Sequence, residues 1–156
     1  MSATTSVPDL SREIEIDAPP ARVWALVSDV RRMSEWSPQV VRSFVRGGVV
    51  RRGTTFLNVN RRGLLFWPTR GRVVRFDPHR EFAFQIAENW TIWSFTLEET
   101  GTGTRVVQRR EAPRGISGVS RRLTQVALGG QEPFTVELLD GMAQTLERVK
   151  AEAEAR

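Results

Sequence analysis

The chain has 156 residues, 40% of them hydrophobic, with no cysteine and a formal net charge of +5. That length suits one domain able to bury roughly two-thirds of its unfolded surface, and the lack of cysteine excludes disulfides, thiolate nucleophiles and cysteine-ligated metals. No stretch approaches the ~18 apolar residues of a membrane span, and the opening MSATTSVPDL lacks the basic and apolar regions of a signal peptide, so a cytoplasmic protein with no membrane span is expected.

Residues 1–10 read as a flexible leader, and residues 11–154 as a single domain. In SREIEID, Ile14 and Ile16 alternate with Glu13 and Glu15, the period of a half-buried strand. Ala18-Pro19-Pro20 ends it, and proline is tolerated in the first turn of the helix that follows. There Val23, Trp24, Val27 and Val30 form one stripe at helical spacing. A second short helix near RRMSEW stops at Ser37-Pro38. Six strands are then expected: Val40–Arg46, Thr54–Asn60, Leu65–Phe76, Glu81–Glu88, Thr91–Glu98 and Thr104–Ala112, separated by Gly47-Gly48, Arg62-Gly63, Asp77-Pro78 and the Thr100–Gly103 hairpin. The Gly-rich stretch 115–130 is mixed, suited to one or two irregular helical turns broken at Gly129-Gly130 and to a mobile lid. Beyond it, Leu138, Leu139, Met142, Leu146, Val149 and Ala153 recur at three and four, marking a long amphipathic helix. Gly141 inside that helix costs about 1 kcal/mol relative to alanine, which implies close packing there or room for something beside it.

The order of elements predicts an α+β fold. A long amphipathic helix and an open antiparallel sheet each have one apolar face to cover, and they cover each other. The helix pair after the first strand carries the chain to the far sheet edge. A bent sheet meeting a straight helix leaves a gap at one end.

This order, with APPARVWALVSDVRRMSEWSP at 18–38, Gly53 and Phe56 in GTTFLNVNRRG, VVRFDP at 73–78, FAF at 82–84, TIWSFTLEETGTGTRV at 91–106 and DGMAQTLERVKAEAE at 140–154, resembles the START/Bet v 1-like (SRPBCC) superfamily, in its polyketide cyclase/dehydrase and lipid-transport branch. The resemblance spans roughly residues 11–154. It implies the helix-grip fold, a curved seven-stranded antiparallel sheet wrapped around a long C-terminal helix with two short helices after the first strand. Members bind hydrophobic molecules such as lipids and polyketides, and some act as aromatase/cyclases.

Strand alternation selects the side chains that face the helix. Trp93, Phe95 and Leu97 share one face, as do Phe82, Phe84 and Ile86. Phe56 brings Asn58 and Asn60 inward, Trp67 brings Thr69, Gly71 and Val73, and Val106 brings Gln108 and Arg110. Filled cores take aliphatic residues; amides and a guanidinium among aromatic rings are the pattern of a small-molecule site. The expected ligand-binding set is Trp36, Phe56, Asn58, Asn60, Trp67, Phe84, Trp93, Phe95, Gln108, Arg110, Leu138 and Met142. Each has a plainer reading as core or as scaffold, Trp36 above all, and Trp24, outside this set, reads as scaffold too.

The expected function is binding or carriage of a small hydrophobic molecule: a lipid, a polyketide, or another aromatic or isoprenoid-like compound. The first alternative is a polyketide aromatase/cyclase or dehydratase, whose chemistry requires a proton acceptor and an oxyanion donor. Arg110, Asn58 and Asn60 would be its donors, but tyrosine is absent and the sole histidine, His79, falls in an exposed turn. Glu88 is the only inward carboxylate expected, and whether any reaction is catalysed stays open at this point. A toxin-like or regulatory interaction module is the second alternative. No cofactor is expected, and no metal, since one histidine and no cysteine leave only carboxylates without ligand-like spacing. Gly101-Thr102-Gly103 lacks the strand-to-helix context of a phosphate loop.

Nearly all the positive charge is arginine, Lys150 being the sole lysine, and the arginine pairs are spread along the chain. That dispersal reads as solvated sheet faces, and no nucleic-acid partner is expected. Attraction to an acidic partner or an anionic membrane is the alternative. The oligomeric state is expected to be monomer or weak dimer.

Overall fold

The computed structural model describes residues 9–112 and 131–155, with side chains from residue 135 onward in the second segment. The strands are β1 (Leu10–Ile16), β2 (Val40–Val45), β3 (Thr55–Arg62), β4 (Leu65–Asp77), β5 (Glu81–Ile86), β6 (Ile92–Glu99) and β7 (Thr104–Glu111). Between β1 and β2 come α1 (Pro20–Val27), a 3-10 turn (Val30–Arg32) and α2 (Met33–Trp36), and α3 (Gln131–Glu154) follows β7. The strands form one antiparallel sheet in the order β1-β7-β6-β5-β4-β3-β2, so β1 closes on the last strand while the meander runs to the other edge. This is the helix-grip arrangement. β1 starts at Leu10, which is buried, so the fold reaches into the expected leader. The rest of that leader, residues 1–8, and the expected lid at 115–130 lie outside the described residues.

Two register shifts bend the sheet, between Val40 and Arg42 and between Val73 and Arg75. A bulge inserts one unpaired residue and increases local twist. It also reverses which residues face inward. Along β4 the inward set is odd-numbered up to Val73 and even-numbered at Phe76, which pairs with Phe82 and meets Trp24 edge-to-face at 5.2 Å. Trp24 also contacts Phe82 at 6.2 Å. Such pairs contribute about 0.5–1.5 kcal/mol beyond their buried area. This end of the interior is solid.

The C-terminal half of α3 is tied to that end. Lys150 donates to the Glu15 carbonyl at 2.8 Å, and Glu154 accepts from the Asp17 amide at 3.2 Å and from Lys150 at 2.6 Å. Arg32 bridges Glu35 and Glu152. Leu146, Val149 and Ala153 are buried beneath these ties. The helix packs chiefly on β1 and the short helices, leaving β3–β6 facing its N-terminal half across a gap.

Gly71 is required by packing, since a Cβ there would lie 2.2 Å from Cζ of the buried Phe56 ring. Gly71→Ala is therefore expected to destabilise the fold by about 1–3 kcal/mol, an overpacking cost, read by chemical denaturation. Lys150 and the Asp17 amide hold the Glu154 carboxyl below its ordinary value of 4.5. The unfolded chain then binds more protons, so this contribution is present above pH 4.5 and is lost as pH falls through the depressed folded value. Glu154→Gln is expected to flatten the decline in melting temperature on the acid side.

Candidate ligand cavity

The gap between the concave sheet and the N-terminal half of α3 is a cavity of about 470 Å³, within the range of small-molecule sites. Alternation places Asn58 and Asn60 of β3, Trp67 and Thr69 of β4, Phe84 and Ile86 of β5, Trp93 and Phe95 of β6, and Gln108 and Arg110 of β7 on its wall. Leu138, Gly141, Met142 and Thr145 of α3 form the opposite side, with Met33, Trp36 and Pro38 at the α2 corner. Eleven of the twelve side chains expected from the sequence therefore line it. The exception is Phe56, which packs edge-to-face behind Phe84 at 5.3 Å and supports the wall from within the core.

The polar groups on the wall are not equivalent. Ser43 donates to Asn58 Oδ1 at 2.6 Å, and Asn58 Nδ2 donates to Met33 Sδ at 3.3 Å. Asn60 Nδ2 donates to the Trp67 carbonyl at 3.2 Å and to Thr69 Oγ1 at 2.9 Å. These amides brace β2, β3, β4 and α2. Gln108 differs: it is 6% exposed, and its Oε1 has no hydrogen-bond partner among the described residues. An unmet buried acceptor costs roughly 1–3 kcal/mol. Arg110, two residues along the same face of β7, is equally buried, and burial pushes its pKa down while Asp9 acts the other way. Among the described residues no three potential metal-ligating side chains cluster, and no helix is long and apolar enough to cross a membrane.

A family model for polyketide cyclase / dehydrase and lipid transport matches residues 8–154. The chain belongs to that family. Solved structures agree on the fold. The di-domain ARO/CYC StfQ from the steffimycin biosynthetic pathway superposes with a TM-score of 0.74 at 15% identity, covering 94% of this chain and 50% of that one. The di-domain ARO/CYC BexL from the BE-7585A pathway gives 0.73 at 19% identity, covering 95% and 50%. The Bacillus halodurans protein BH1534 gives 0.68 at 19% identity, covering 95% and 98%. This chain thus spans about half the length of the two di-domain proteins. No curated protein matches it in sequence.

The cavity wall of this family member is largely aromatic, but its acidic groups differ from the sequence expectation. Glu88 is not on the cavity wall; it accepts from the Arg70 amide and Nε at 2.8 and 2.9 Å, because the β5–β6 turn lies beside β4. Asp29, Glu137 and Asp140 line the cavity instead. Glu137 is paired with Arg62 at 2.5 Å, and Asp29 caps the 3-10 turn by accepting from the Arg31 amide. The pattern held one usable signal: Glu137, Gly141 and Gln144 recur at four and three beside the Leu138–Met142 stripe. His79 is exposed in its turn, with a φ of 67°, against the edge of Trp24.

Gly141 lies on the cavity wall, and among the described residues a Cβ there would meet only Pro38 Cγ, at an ordinary 3.5 Å. No close contact among the described residues therefore requires glycine here. Gly141→Ala is expected to raise stability by about 1 kcal/mol through helix propensity, seen in denaturant melts, while narrowing the space between α3 and Pro38.

Proposed function

We propose that the chain binds or carries a small, mostly apolar molecule in this cavity, with one hydrogen-bonding group of that molecule facing Gln108. The observation that carries the reading is Gln108 itself: a buried amide oxygen without a partner among the described residues, on a wall of Trp67, Phe84, Trp93 and Phe95. Apolar rings supply affinity through area removed from water, and a single placed amide supplies orientation. Family membership and the polyketide-pathway origin of two structural neighbours support a lipid, polyketide or similar ring-bearing ligand.

A second reading, turnover of a poly-β-ketone in the same cavity, draws on the family and on the ARO/CYC identity of those neighbours. The wall favours binding over catalysis. Among the described residues it includes no histidine, lysine or tyrosine, and two of its three carboxylates are engaged by Arg62 and by the Arg31 amide. If turnover is measurable, Arg110→Ala and Asn58→Ala should abolish it.

A matched pair of probes tests the binding reading. 2-Naphthol and 2-methylnaphthalene have the same shape and differ by a hydroxyl in place of a methyl. Quenching of tryptophan fluorescence reports occupancy, since Trp67 and Trp93 line the cavity. The wild-type chain is expected to prefer the naphthol about tenfold or more, the worth of one satisfied buried hydrogen bond. Gln108→Met keeps the side-chain length and removes the amide; it should erase the preference and raise the melting temperature. Failure of both probes to bind, with no small molecule co-purifying in native mass spectrometry, overturns the proposal.

A further inference from the structure

From Trp36 to Phe76 the chain has nine arginines and no aspartate or glutamate. This segment builds β2, β3 and β4, the sheet edge opposite β1. Cross-strand register aligns Phe44 with Leu57, Leu57 with Arg70, and Arg61 with Phe66. They share the convex face, because Phe56 and Gly71, which alternate with them, are buried on the concave side. The hairpin tips flanking this face are apolar too: Leu64 is 93% exposed and Val49 76%. Six of the eight large hydrophobic residues exposed among the described residues fall in this one segment, so the patch is not the scatter that any surface shows. Arg62, Arg70 and Arg75 pair with acids from outside the segment. The other six arginines have no salt bridge among the described residues. The fold lays this acid-free stretch of the sequence out as one edge of the sheet.

We infer that this basic, apolar face docks on an anionic lipid bilayer. Arginines draw it to acidic headgroups, and the exposed aliphatic and aromatic groups enter the boundary below them. A second copy of the same face is a poor occupant, because it carries the same positive charge. A single-stranded nucleic acid fits less well. Phe44 and Phe66, the rings on which bases would stack, already have Arg42 and Arg61 lying over them at 4.9 and 5.4 Å. The most exposed groups, Leu64 and Val49, are aliphatic and suit acyl chains better than bases. Arg62, two residues from the Leu64 tip, lines the cavity, so docking brings the cavity wall close to the bilayer. The inference stands whether or not the cavity binds a ligand.

The test is vesicle flotation with the full chain, using phosphatidylcholine vesicles with and without phosphatidylglycerol. Binding is expected only with phosphatidylglycerol, and it should weaken as salt rises. The triple variant Arg42→Glu, Arg61→Glu, Arg72→Glu should lose more than about a hundredfold in partitioning, at roughly fivefold per arginine removed. Arg12→Glu, Arg80→Glu, Arg148→Glu makes the same charge change at exposed positions elsewhere and should keep binding. Leu64→Ser, at a site too exposed to affect folding, should weaken binding severalfold and serves if the triple variant does not fold. The inference is overturned if anionic vesicles are not bound, if the two triple variants lose binding equally, or if a single-stranded oligouridylate displaces the vesicles.

Discussion

A straight helix cannot follow a bent sheet along its whole length, and most of this molecule follows from that mismatch. α3 is held at its C-terminal half by Lys150, Glu154 and the side chains of Leu146, Val149 and Ala153. The sheet curves away from its other half because bulges at Val40/Arg42 and Val73/Arg75 increase the local twist. Where helix and sheet touch, Trp24, Phe76 and Phe82 make a close-packed core. Where they part, the same alternation of inward side chains lines a hollow. Stability and cavity are two ends of one interface.

The hollow has polar groups of two kinds. Asn58 and Asn60 look like binding groups in the sequence, yet their amide nitrogens are engaged by Met33, Trp67 and Thr69. They hold β3 against its neighbours and set the shape of the wall. Gln108 has no such duty among the described residues. A buried amide oxygen left unpaired costs stability, and under the proposed binding reading a ligand group facing Gln108 offsets that cost. Function then lies in the site and not in the fold, which this chain shares with proteins under a fifth identical to it.

The two halves of the sheet treat charge differently. On the half built from β5, β6, β7 and β1, arginines are interleaved with acids, as in Arg105–Glu13, Arg105–Glu98 and Arg109–Asp9. Exposed pairs of this kind contribute little to stability, typically about 0–1 kcal/mol, but they neutralise the face. On the β2–β4 half the arginines outnumber any acid within reach and share the surface with Phe44, Leu57 and Phe66. Charge that is merely abundant in the composition becomes directional once the strands pair.

Local pattern determined a great deal by itself. Period-two alternation and turn residues located all seven strands, and the three-and-four spacing of Leu138, Met142, Leu146 and Val149 located the helix, because these periodicities are properties of the backbone. They also named most of the strand residues on the cavity wall, since a strand's inward set is fixed once one member is buried. Phe56 escaped because alternation gives a residue's side of the sheet but not its depth, and the room beside Gly71 draws that ring into the core. Glu88 escaped because its partner, Arg70, is 18 residues away on another strand. Glu137 and Asp140 escaped because a helix's polar residues next to its apolar stripe face solvent or a cavity according to what lies opposite. Residue type and spacing therefore determined the elements and the chemistry available on each face. Only tertiary structure decided, among the described residues, which amide was left unpaired and which arginines met no acid, because both depend on neighbours brought together by strand pairing and not by sequence.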